Sequence, residues 1–446
     1  PNAYASHFKL YRNLQGQGFQ EINTSLPQVH RSHHVWADYR NDGNLDLVFQ
    51  GVLWNIDGLF PQTGIYRNMG ELQFDLIQPN LTPMIDGEIR MADFDGDGDL
   101  DLANSGFYDY SGGNLYPTTR IYKFTNNGTY QLVSSPDLGG GSGIDWIDYD
   151  SDGDLDLIFS GIDTTNQQST RILRNDGIAG FEALSASLTG VWRGDIACGD
   201  YDNDGDSDVF LCGTDVNAHS TAKLFRNNGS GVFEETTDLF TSVKESHACW
   251  ADLDNDGDLD LMYQGEESLY PAYGDRIRFY RNDTEASNYP PTYPDVSYDS
   301  DTGIMILPLF DDHTPNQCLS YDLRIGTSPG GSEILRPMAD PVTGYRRIPE
   351  PGRPSYTKYL LAPGTYYVSA QAIDSSWCGS GWSPEQIIQA SVENTDPEFS
   401  SLSLPLNVYP NPCNSQISVG FQLDAKGETK LELFNLRGQS VAVLQK

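Results

Sequence analysis

One acidic stretch decides the fold of this chain, and it reads Asp93-Phe94-Asp95-Gly96-Asp97-Gly98-Asp99-Leu100-Asp101. Similar stretches recur along the sequence and begin at positions 38, 93, 148, 200 and 252. Their starts are separated by 55, 55, 52 and 52 residues, which defines an internal repeat. Repeats of about 40 to 50 residues with several short strands are typical of β-propeller blades.

A second motif follows the same spacing and indicates how many strands each repeat contains. Most of its copies read as a large apolar residue, an aromatic or leucine, then Arg-Asn, and they lie at 10–13, 65–68, 121–124, 172–175, 224–227 and 279–282. Glycine-rich turns and a phenylalanine follow most copies, as at Gly18-Phe19 and Gly180-Phe181. Short alternating segments bounded by Gly, Asn and Asp indicate strands. We therefore predict an all-β chain with a propeller of four-stranded repeats over residues 1–288.

The acidic stretch has the oxygen donors and the flexibility of a calcium loop. Carboxylates stand at positions 1, 3, 5 and 9, and position 7 offers its backbone carbonyl. Glycine at position 6 (Gly43, Gly98, Gly153, Gly205, Gly257) can adopt positive φ and let the chain curl around one cation. Several carboxylates favour Ca²⁺ over Mg²⁺, which keeps more of its waters. An EF-hand is excluded because it needs glutamate at position 12, where these loops carry Phe, Asn, Phe, Leu and Tyr.

Loops two to five are predicted to bind about four calcium ions, one in each loop. The alternative, an Asp/Gly turn without metal, would leave many carboxylates unpaired at a high cost. The predicted ligands are Asp93, Asp95, Asp97, Asp99, Asp101, Asp148, Asp150, Asp152, Asp154, Asp156, Asp200, Asp202, Asp204, Asp206, Asp208, Asp252, Asp254, Asp256, Asp258 and Asp260.

The first loop departs from the pattern because Arg40 stands at position 3. Its guanidinium could replace the cation by pairing with the surrounding carboxylates. A fifth ion, if this loop also binds one, would use the remaining donors, Asp38, Asp42, Asn44 and Asp46.

Together these motifs, over roughly residues 8–285, resemble the FG-GAP/VCBS repeat family. The resemblance implies the β-propeller of the integrin α-chain head, with calcium in its loops. Seven blades are common in that family, whereas five complete repeats and one leading strand are visible here. We therefore expect the propeller to be truncated at its N-terminus.

The charge and the motifs of the chain narrow its functional class. The formal net charge of −36 argues against a nucleic-acid partner, because such proteins carry a basic stripe. No run of about 18 apolar residues indicates a transmembrane segment. No nucleophile elbow, HExxH motif or Cys/His metal spacing occurs. We therefore predict no catalytic residues and no organic cofactor, so that calcium is the only expected cofactor and the chain is not an enzyme.

Three further features suggest ligand contacts, and each has an ordinary alternative. Arg193-Gly194-Asp195 spells an integrin-ligand tripeptide, for which coincidence is the better explanation in this composition. His33, Glu88, Asp195 and His247 each precede a loop by five residues and would form a ring at the channel mouth, or simply a water-exposed strand edge. Trp36, Trp146 and Trp250 precede their loops by two residues and Trp192 by eight, positions that suit blade packing or sugar stacking.

The C-terminal part resembles two known modules. Leu361-Ala362-Pro363-Gly364-Thr365-Tyr366-Tyr367 resembles the fibronectin type III signature, which implies a β-sandwich over 289–394. Residues 395–446 resemble a partial type A sorting domain of the type IX secretion system of Bacteroidota, with Tyr409-Pro410-Asn411-Pro412 as its opening. Two cysteine pairs, Cys198/Cys212 and Cys318/Cys378, could form disulfides outside the cell.

These observations lead to one expectation and two alternatives about function. We expect a secreted or cell-surface, calcium-stabilised adhesion protein whose propeller recognises a protein or matrix, exported by the type IX machinery. A lectin-like propeller that binds polysaccharide is the first alternative. The second is an accessory module of a polysaccharide-degrading enzyme, or such an enzyme itself.

Overall fold

The computed structural model describes much of the chain at the level of backbone and side chains. The described residues are 9–14, 18–23, 26, 29–40, 42, 44–55, 58–70, 73–77, 79–109, 115–125, 128–134, 139–163, 165, 167–177, 180–185, 187–254, 256–267, 274–284, 288–299, 303–307, 310–344, 352, 359, 361–390, 407–409, 418–420, 430–434 and 440–445. The chain forms two compact units, Pro1–Ser391 and Val392–Lys446. Within the described ranges, no helix is long and apolar enough to cross a membrane.

The predicted repeats fold as antiparallel sheets, which we call blades 1 to 5. A hairpin of β1 (Leu10–Asn13) and β2 (Phe19–Ile22) precedes them. Blade 1 contains β3 (Val29–Ala37), β4 (Asp46–Asn55), β5 (Gly58–Asn68) and β6 (Phe74–Ile77). Blade 2 contains β7 (Ile89–Ala92), β8 (Asp101–Asp109), β9 (Leu115–Thr125) and β10 (Thr129–Ser134). Blade 3 contains β11 (Gly140–Ile147), β12 (Asp156–Ile162), β13 (Gln168–Asn175) and β14 (Phe181–Ser185).

A single residue pair joins blades 4 and 5 into one sheet. Blade 4 contains β15 (Val191–Gly199), β16 (Asp208–Asp215), β17 (Ser220–Asn227) and β18 (Phe233–Glu235). Blade 5 contains β19 (Val243–Ala251), β20 (Asp260–Glu267) and β21 (Gly274–Tyr280), and Thr221 pairs with Val243 across the two blades. The prediction of an all-β fold with about four strands per repeat is therefore confirmed for the described residues.

The first strands of the five blades are linked by polar and ring contacts. The Ile89 N–H lies 3.4 Å from His33 Nδ1 and links blades 2 and 1. Arg90 lies 3.4 Å from Asp145, whose other oxygen accepts the Cys198 N–H at 2.9 Å, linking blades 2, 3 and 4. Asp195 accepts the Ala248 N–H at 2.9 Å, linking blades 4 and 5, and the rings of His247 and His33 have centroids 6.1 Å apart. These contacts place the inner strands of the five blades around one channel, and the truncation of the propeller at its N-terminus stays a prediction.

Apolar side chains fill the space between neighbouring blades. Val35 and Met91 pack in the cluster between blades 1 and 2, and Ile158 and Ile196 in the cluster between blades 3 and 4. Burying such a side chain contributes about 1.5 to 3 kcal/mol. Inter-blade packing therefore fixes the order of the blades and, with it, the positions of the loops that the strands carry.

Two smaller sheets follow the propeller within the first unit. One pairs β22 (Asp295–Asp299) with β23 (Gly303–Leu307), and the other orders β24 (Ser320–Gly326), β25 (Gly364–Ile373) and β26 (Gln386–Ala390). Residues of both sheets, among them Ile304 and Leu323, share one buried cluster. We call residues 295–390 the second module; its fibronectin type III identity stays a prediction.

The second unit contains two short hairpins. They pair β27 (Asn407–Tyr409) with β28 (Ser418–Gly420), and β29 (Lys430–Phe434) with β30 (Ser440–Gln445). Most of the sorting-domain motif, including Pro410, Asn411 and Pro412, lies outside the described residues, so the predicted sorting domain stays a prediction.

Candidate metal centres and the channel cluster

Each acidic loop connects the first strand of a blade to the second. The loop begins where the inner strand ends, and its ninth residue is the first residue of the next strand, as Asp101 is for β8. Gly98, Gly153, Gly205 and Gly257 have φ between 93° and 96°, as the sequence predicted. Only glycine takes this conformation readily, so the curl of the loop depends on it. Gly43 lies outside the described residues.

Positions 1, 3 and 9 of loops two to five bring their carboxylates together. In each of these four loops, one oxygen from each of the three side chains lies within 4.8 Å of the other two. The groups are Asp93/Asp95/Asp101, Asp148/Asp150/Asp156, Asp200/Asp202/Asp208 and Asp252/Asp254/Asp260. Oxygen donors at this separation suit a calcium ion.

Several of these oxygens are buried without a hydrogen bond. Asp95 Oδ1, Asp150 Oδ1 and Asp202 Oδ1, all at position 3, and Asp101 Oδ2 accept none within the described residues. A buried carboxylate oxygen normally has a hydrogen bond or a cation as its partner. The residues present therefore fit a bound cation.

Backbone amides hold the other oxygens in place, as loop four illustrates. The N–H groups of Asp204 and Gly205 donate to the two oxygens of Asp200 at 3.1 and 2.9 Å. The Asn227 N–H of the third strand donates to Asp208 Oδ1 at 2.8 Å. These bonds orient positions 1 and 9 toward the same point before any ligand binds.

Positions 5 and 7 have different roles from positions 1, 3 and 9. Asp97, Asp152, Asp204 and Asp256 each accept the N–H of position 7 at 2.9 to 3.2 Å and lie outside the close groups. Two side chains at position 7 bind the preceding loop instead: Asp206 accepts from Ser151 at 2.9 Å and Asp258 from Asn203 at 2.7 Å. The side chains of Asp99 and Asp154 are likewise not part of the close groups.

Burial makes these carboxylates hard to ionise in the absence of a cation. Burial, with the charges of nearby loop aspartates, raises the pKa of Asp101 and of Asp208 to about 9. The same causes raise the pKa of Asp148 and Asp200 to about 7. A divalent cation would offset the repulsion and stabilise the ionised forms.

Loop one has a positive side chain within the group of carboxylates. Arg40 Nη2 lies 2.7 Å from Asp42 Oδ2 and 3.7 Å from Asp46 Oδ1. The pKa of Asp46 is raised only to about 6, by burial that the charge of Arg40 partly offsets. The guanidinium thus supplies positive charge from position 3 of this loop itself. In loops two and four, Lys123 and Arg226 of the third strand pair with the carboxylates of positions 3 and 5.

The side chains that we predicted to form a ring meet in the channel. Together with Arg90 they form what we call the channel cluster, which consists of His33, Glu88, Arg90, Asp195 and His247. Arg90 lies 3.1 Å from Glu88, 3.9 Å from Asp195 and 3.1 Å from His33 Nε2. His247 Nδ1 lies 3.5 Å from Glu88 and 3.7 Å from Asp195. Both carboxylates are 2% exposed, whereas the side chain of His247 is 53% exposed, so the ring has buried and water-exposed members.

The groups of the channel cluster shift one another's protonation. Hydrogen bonds to Asp195 and Glu88 raise the pKa of His247 to about 10. Burial and the nearby charge of Asp195 raise the pKa of Glu88 to about 8. Burial and the charge of Arg90 lower the pKa of His33 well below its ordinary value. The cluster therefore contains charges of both signs close together.

The tryptophans, for which blade packing and sugar stacking were both considered, differ in their surroundings. Trp146 and Trp250 are 6% and 4% exposed and stack on Phe94 and Tyr201 between blades, so the sugar-stacking prediction is wrong for them. Trp36 is half-buried and packs near Phe74. Trp192, which stands at a different spacing, lines a cavity at the start of the inner strands. The spacing from the loop identified the inner strand but not which face of it each tryptophan occupies.

Two other sequence features have different roles in the structure. Asp195 of the Arg-Gly-Asp tripeptide is buried in the channel cluster, so the tripeptide is not displayed for a receptor. Cys198, Cys212 and Cys318 are free thiols, so neither predicted disulfide is formed. Cys198 pairs with Val209 and Cys212 with Asp195 across the same two strands, which separates the first pair along the sheet.

Comparisons with known proteins identify the repeats. The FG-GAP-like repeat family matches residues 93–159, 148–211 and 200–263. No curated protein matches this chain in sequence. The chain thus contains FG-GAP-like repeats, and each matched segment runs from one acidic loop into the strand after the next loop.

Solved structures with related architecture share little sequence with this chain. An exo-β-1,3-galactanase from Clostridium thermocellum is 12% identical, with a TM-score of 0.33, over 84% of this chain and 92% of that chain. The BP39L lectin from Burkholderia pseudomallei is 10% identical, with a TM-score of 0.32, over 81% and 100%. A sucrose-6-phosphate hydrolase from Lactobacillus gasseri is 12% identical, with a TM-score of 0.31, over 82% and 88%.

Proposed function

We propose that this chain is an extracellular, non-enzymatic binding protein whose β-propeller is stabilised by calcium and recognises a protein or matrix ligand. The observation that carries the proposal is the convergence of three carboxylates in each of four loops, three of which contain buried oxygens that accept no hydrogen bond. Millimolar free calcium is available outside cells, and loops of this kind gain their stability there by mass action. Binding rather than catalysis is proposed because the acidic residues are repeated identically and serve the blades.

Export by the type IX machinery is part of this proposal. It is supported by the resemblance of residues 395–446 to a type A sorting domain. The chain would then be released from, or anchored at, the outer surface of a Bacteroidota cell, with the second module between the propeller and the tail.

A lectin-like function is the second candidate. It is supported by Trp192, which lines a cavity with several charged side chains at the channel mouth. In this version the ligand is a polysaccharide, and the chain could serve as an accessory module of a polysaccharide-degrading enzyme.

Binding measurements in two calcium conditions test the proposal. The full chain is applied to arrays of matrix proteins and of glycans, in millimolar calcium and in chelator, and its melting temperature is recorded in both. We expect a melting temperature that rises with calcium, and calcium-dependent binding to one ligand class. An unchanged melting temperature would contradict calcium stabilisation, and binding to neither array in calcium would contradict the binding function.

A further inference from the structure

The cavity at the channel mouth is a feature whose role does not follow from the acidic loops. It has a volume of about 600 Å³ and is lined by residues at the start of the inner strands, including Arg31, Asp86, Trp192, Arg193 and Glu245. Glu88 and His247 of the channel cluster lie at its floor. Small-molecule sites commonly have volumes of about 300 to 1,000 Å³. The calcium loops lie at the other end of the same strands, so this cavity is separate from them.

The rim of the cavity is built from one backbone feature that is repeated in the blades. Arg31, Asp86, Arg193 and Glu245, seven residues before their loops, have φ of 49° to 54°. In blades 1, 4 and 5 the pairing register shifts at this point, which marks a β-bulge. Left-handed conformations of non-glycine residues cost about 1 to 3 kcal/mol each and cluster at ligand sites, and bulges re-aim side chains there. Four such residues therefore point to a constraint on where these side chains are placed.

The side chains that the bulges place form ion pairs of alternating sign. Arg31 pairs with Asp86, and Arg193 Nη2 lies 2.6 Å from Glu245 Oε1. Burial lowers the pKa of Arg31, and the charges of Arg193 and Glu245 also act on it, so the two pairs are neighbours around the mouth. Blade 3 has Gly141 at the same position, where an added Cβ would clash with the ring of Phe107. The rim therefore has charged side chains from four blades and a glycine from blade 3.

The balance of charge in the cavity indicates the chemistry of its ligand. The rim carries two carboxylates and two guanidinium groups, which form two ion pairs. The formal charges of the rim therefore cancel, in a chain of formal charge −36. A cation or an anion would meet repulsion from half of these groups. A neutral molecule with many hydroxyl groups can donate to the carboxylates and accept from the guanidinium groups at the same time.

Trp192 adds an apolar surface to this polar cavity. It is half-buried and lies beside the guanidinium of Arg193, whose Cζ is 5.2 Å from the centre of the ring. The apolar faces of sugar rings suit aromatic surfaces, whereas other polyols lack such a face. We propose that the mouth cavity binds one neutral sugar residue of a glycan, between Trp192 and the two rim ion pairs, a proposal that rests on the proposed binding function and names its ligand and site.

Titration of the full chain with neutral sugars tests this proposal. Neutral mono- and disaccharides, with glucuronic acid and glucosamine as charged probes, are titrated in millimolar calcium by calorimetry and saturation-transfer NMR. We expect binding of at least one neutral sugar and at least tenfold weaker binding of the charged probes that share its ring. Trp192→Ala and the near-isosteric Glu245→Gln should each weaken the neutral sugar at least tenfold. Lys223→Ala, which removes an exposed ion pair with Glu235, should leave it unchanged.

The possible failures are distinguishable. A sugar bound equally well by Trp192→Ala and Glu245→Gln, with unchanged melting temperatures, would move the site elsewhere and overturn the proposal while leaving the binding function intact. Binding of a matrix protein but of no neutral sugar would have the same meaning. Failure to bind any ligand in calcium would overturn both.

Discussion

At the scale of single residues, Arg40 decides whether the first loop needs a cation. It occupies position 3, where loops two to five carry aspartate, and it lies 2.7 Å from Asp42. We predict that Arg40→Asp creates a fifth calcium site, because it restores the missing carboxylate and removes the competing positive charge. The measurement is the calcium content of the dialysed protein, which should rise by one ion per chain. Arg67→Asp, at an arginine paired with Asp75 in blade 1, is the control and should leave the content unchanged.

Asp101 should affect stability with opposite outcomes in calcium and in chelator. Its Oδ1 accepts the Phe124 N–H at 2.7 Å, and its buried Oδ2 accepts no hydrogen bond. In Asp101→Asn the first bond can remain, but a ligand charge is lost. With calcium at about 100 times its Kd, losing one site should lower the free energy of unfolding by about 2.7 kcal/mol.

In chelator the same substitution should be neutral or stabilising, because the pKa of Asp101 is raised to about 9 and a neutral amide replaces an already neutral acid. Chemical denaturation in the two conditions measures both values, and Asp75→Asn controls for the loss of one surface charge. Equal destabilisation with and without calcium would show that Asp101 has only a structural role.

The sequence predicted the surroundings of some of these side chains better than those of others. The carboxylates of positions 1, 3 and 9 converge, and the position-6 glycines take positive φ, because both follow from local chain geometry. For Trp146, Trp192 and Trp250 the sequence left blade packing and sugar stacking open, because exposure on an inner strand depends on which neighbouring blade covers it. A pattern within one strand contains no information about that neighbour.

At the scale of strands, the bulge in each inner strand reverses the usual preference between alanine and glycine. Alanine is more stable than glycine by about 0.5 to 1 kcal/mol inside an ordinary strand. At Arg193, with φ of 53°, glycine should instead be the more stable replacement by about 1 kcal/mol. Comparing Arg193→Gly with Arg193→Ala by denaturation isolates the backbone effect, since both lose the same side-chain contacts. Lys244, on the inner strand of blade 5 and outside the positive-φ set, should show the ordinary order.

The third strands of blades 3, 4 and 5 carry a side chain that binds the preceding blade. The Asn227 amide donates to Tyr149 O of loop three at 2.9 Å and to Ser207 O of its own loop at 3.1 Å. Asn175 and Asn282 make corresponding bonds, whereas blade 2 has Phe124 at this place. The Arg-Asn motif is therefore an inter-blade contact, which its spacing alone did not indicate.

Because Asn227 is fully buried, Asn227→Ala should destabilise the chain by about 2 to 3 kcal/mol, leaving two carbonyls without their donor. The midpoint of urea unfolding reports the change. Asn228→Ala, next to it and exposed, should cost less than about 1 kcal/mol. Similar values for the two variants would mean that water replaces the inter-blade bonds without loss.

At the scale of the whole propeller, the repeat predicted the blades but not how they are arranged around the channel. Their arrangement involves long-range contacts such as His33 with His247, between residues more than 200 positions apart. The repeat period fixes the size of a blade and leaves the angle between blades to the packing of their faces. For the same reason the polar positions of the inner strands could be predicted as a ring, but not their pairing around Arg90.

The second module contacts two of the acidic loops, which links the candidate metal sites to the arrangement of the first unit. Ser375 Oγ donates to Asp200 Oδ2 at 2.7 Å, and Ser376 Oγ donates to Asn203 Oδ1 at 2.7 Å. Gln317 donates to Ser151 O of loop three at 3.3 Å. Loops three and four therefore form part of an interface as well as candidate metal sites.

Chelation of calcium should loosen that interface before the blades unfold. Without a cation, Asp200, Asp202 and Asp208 lose their common partner, and loop four no longer offers a fixed surface to Ser375 and Ser376. Hydrogen exchange should then become at least tenfold faster at residues 374–378, while β25, the central strand of its sheet, keeps its protection. Asp208→Asn should reproduce this change in calcium, whereas Asp101→Asn in loop two should not, because the contacts above involve loops three and four. Equal exchange in both variants would mean that the second module is held by packing alone and does not respond to the metal.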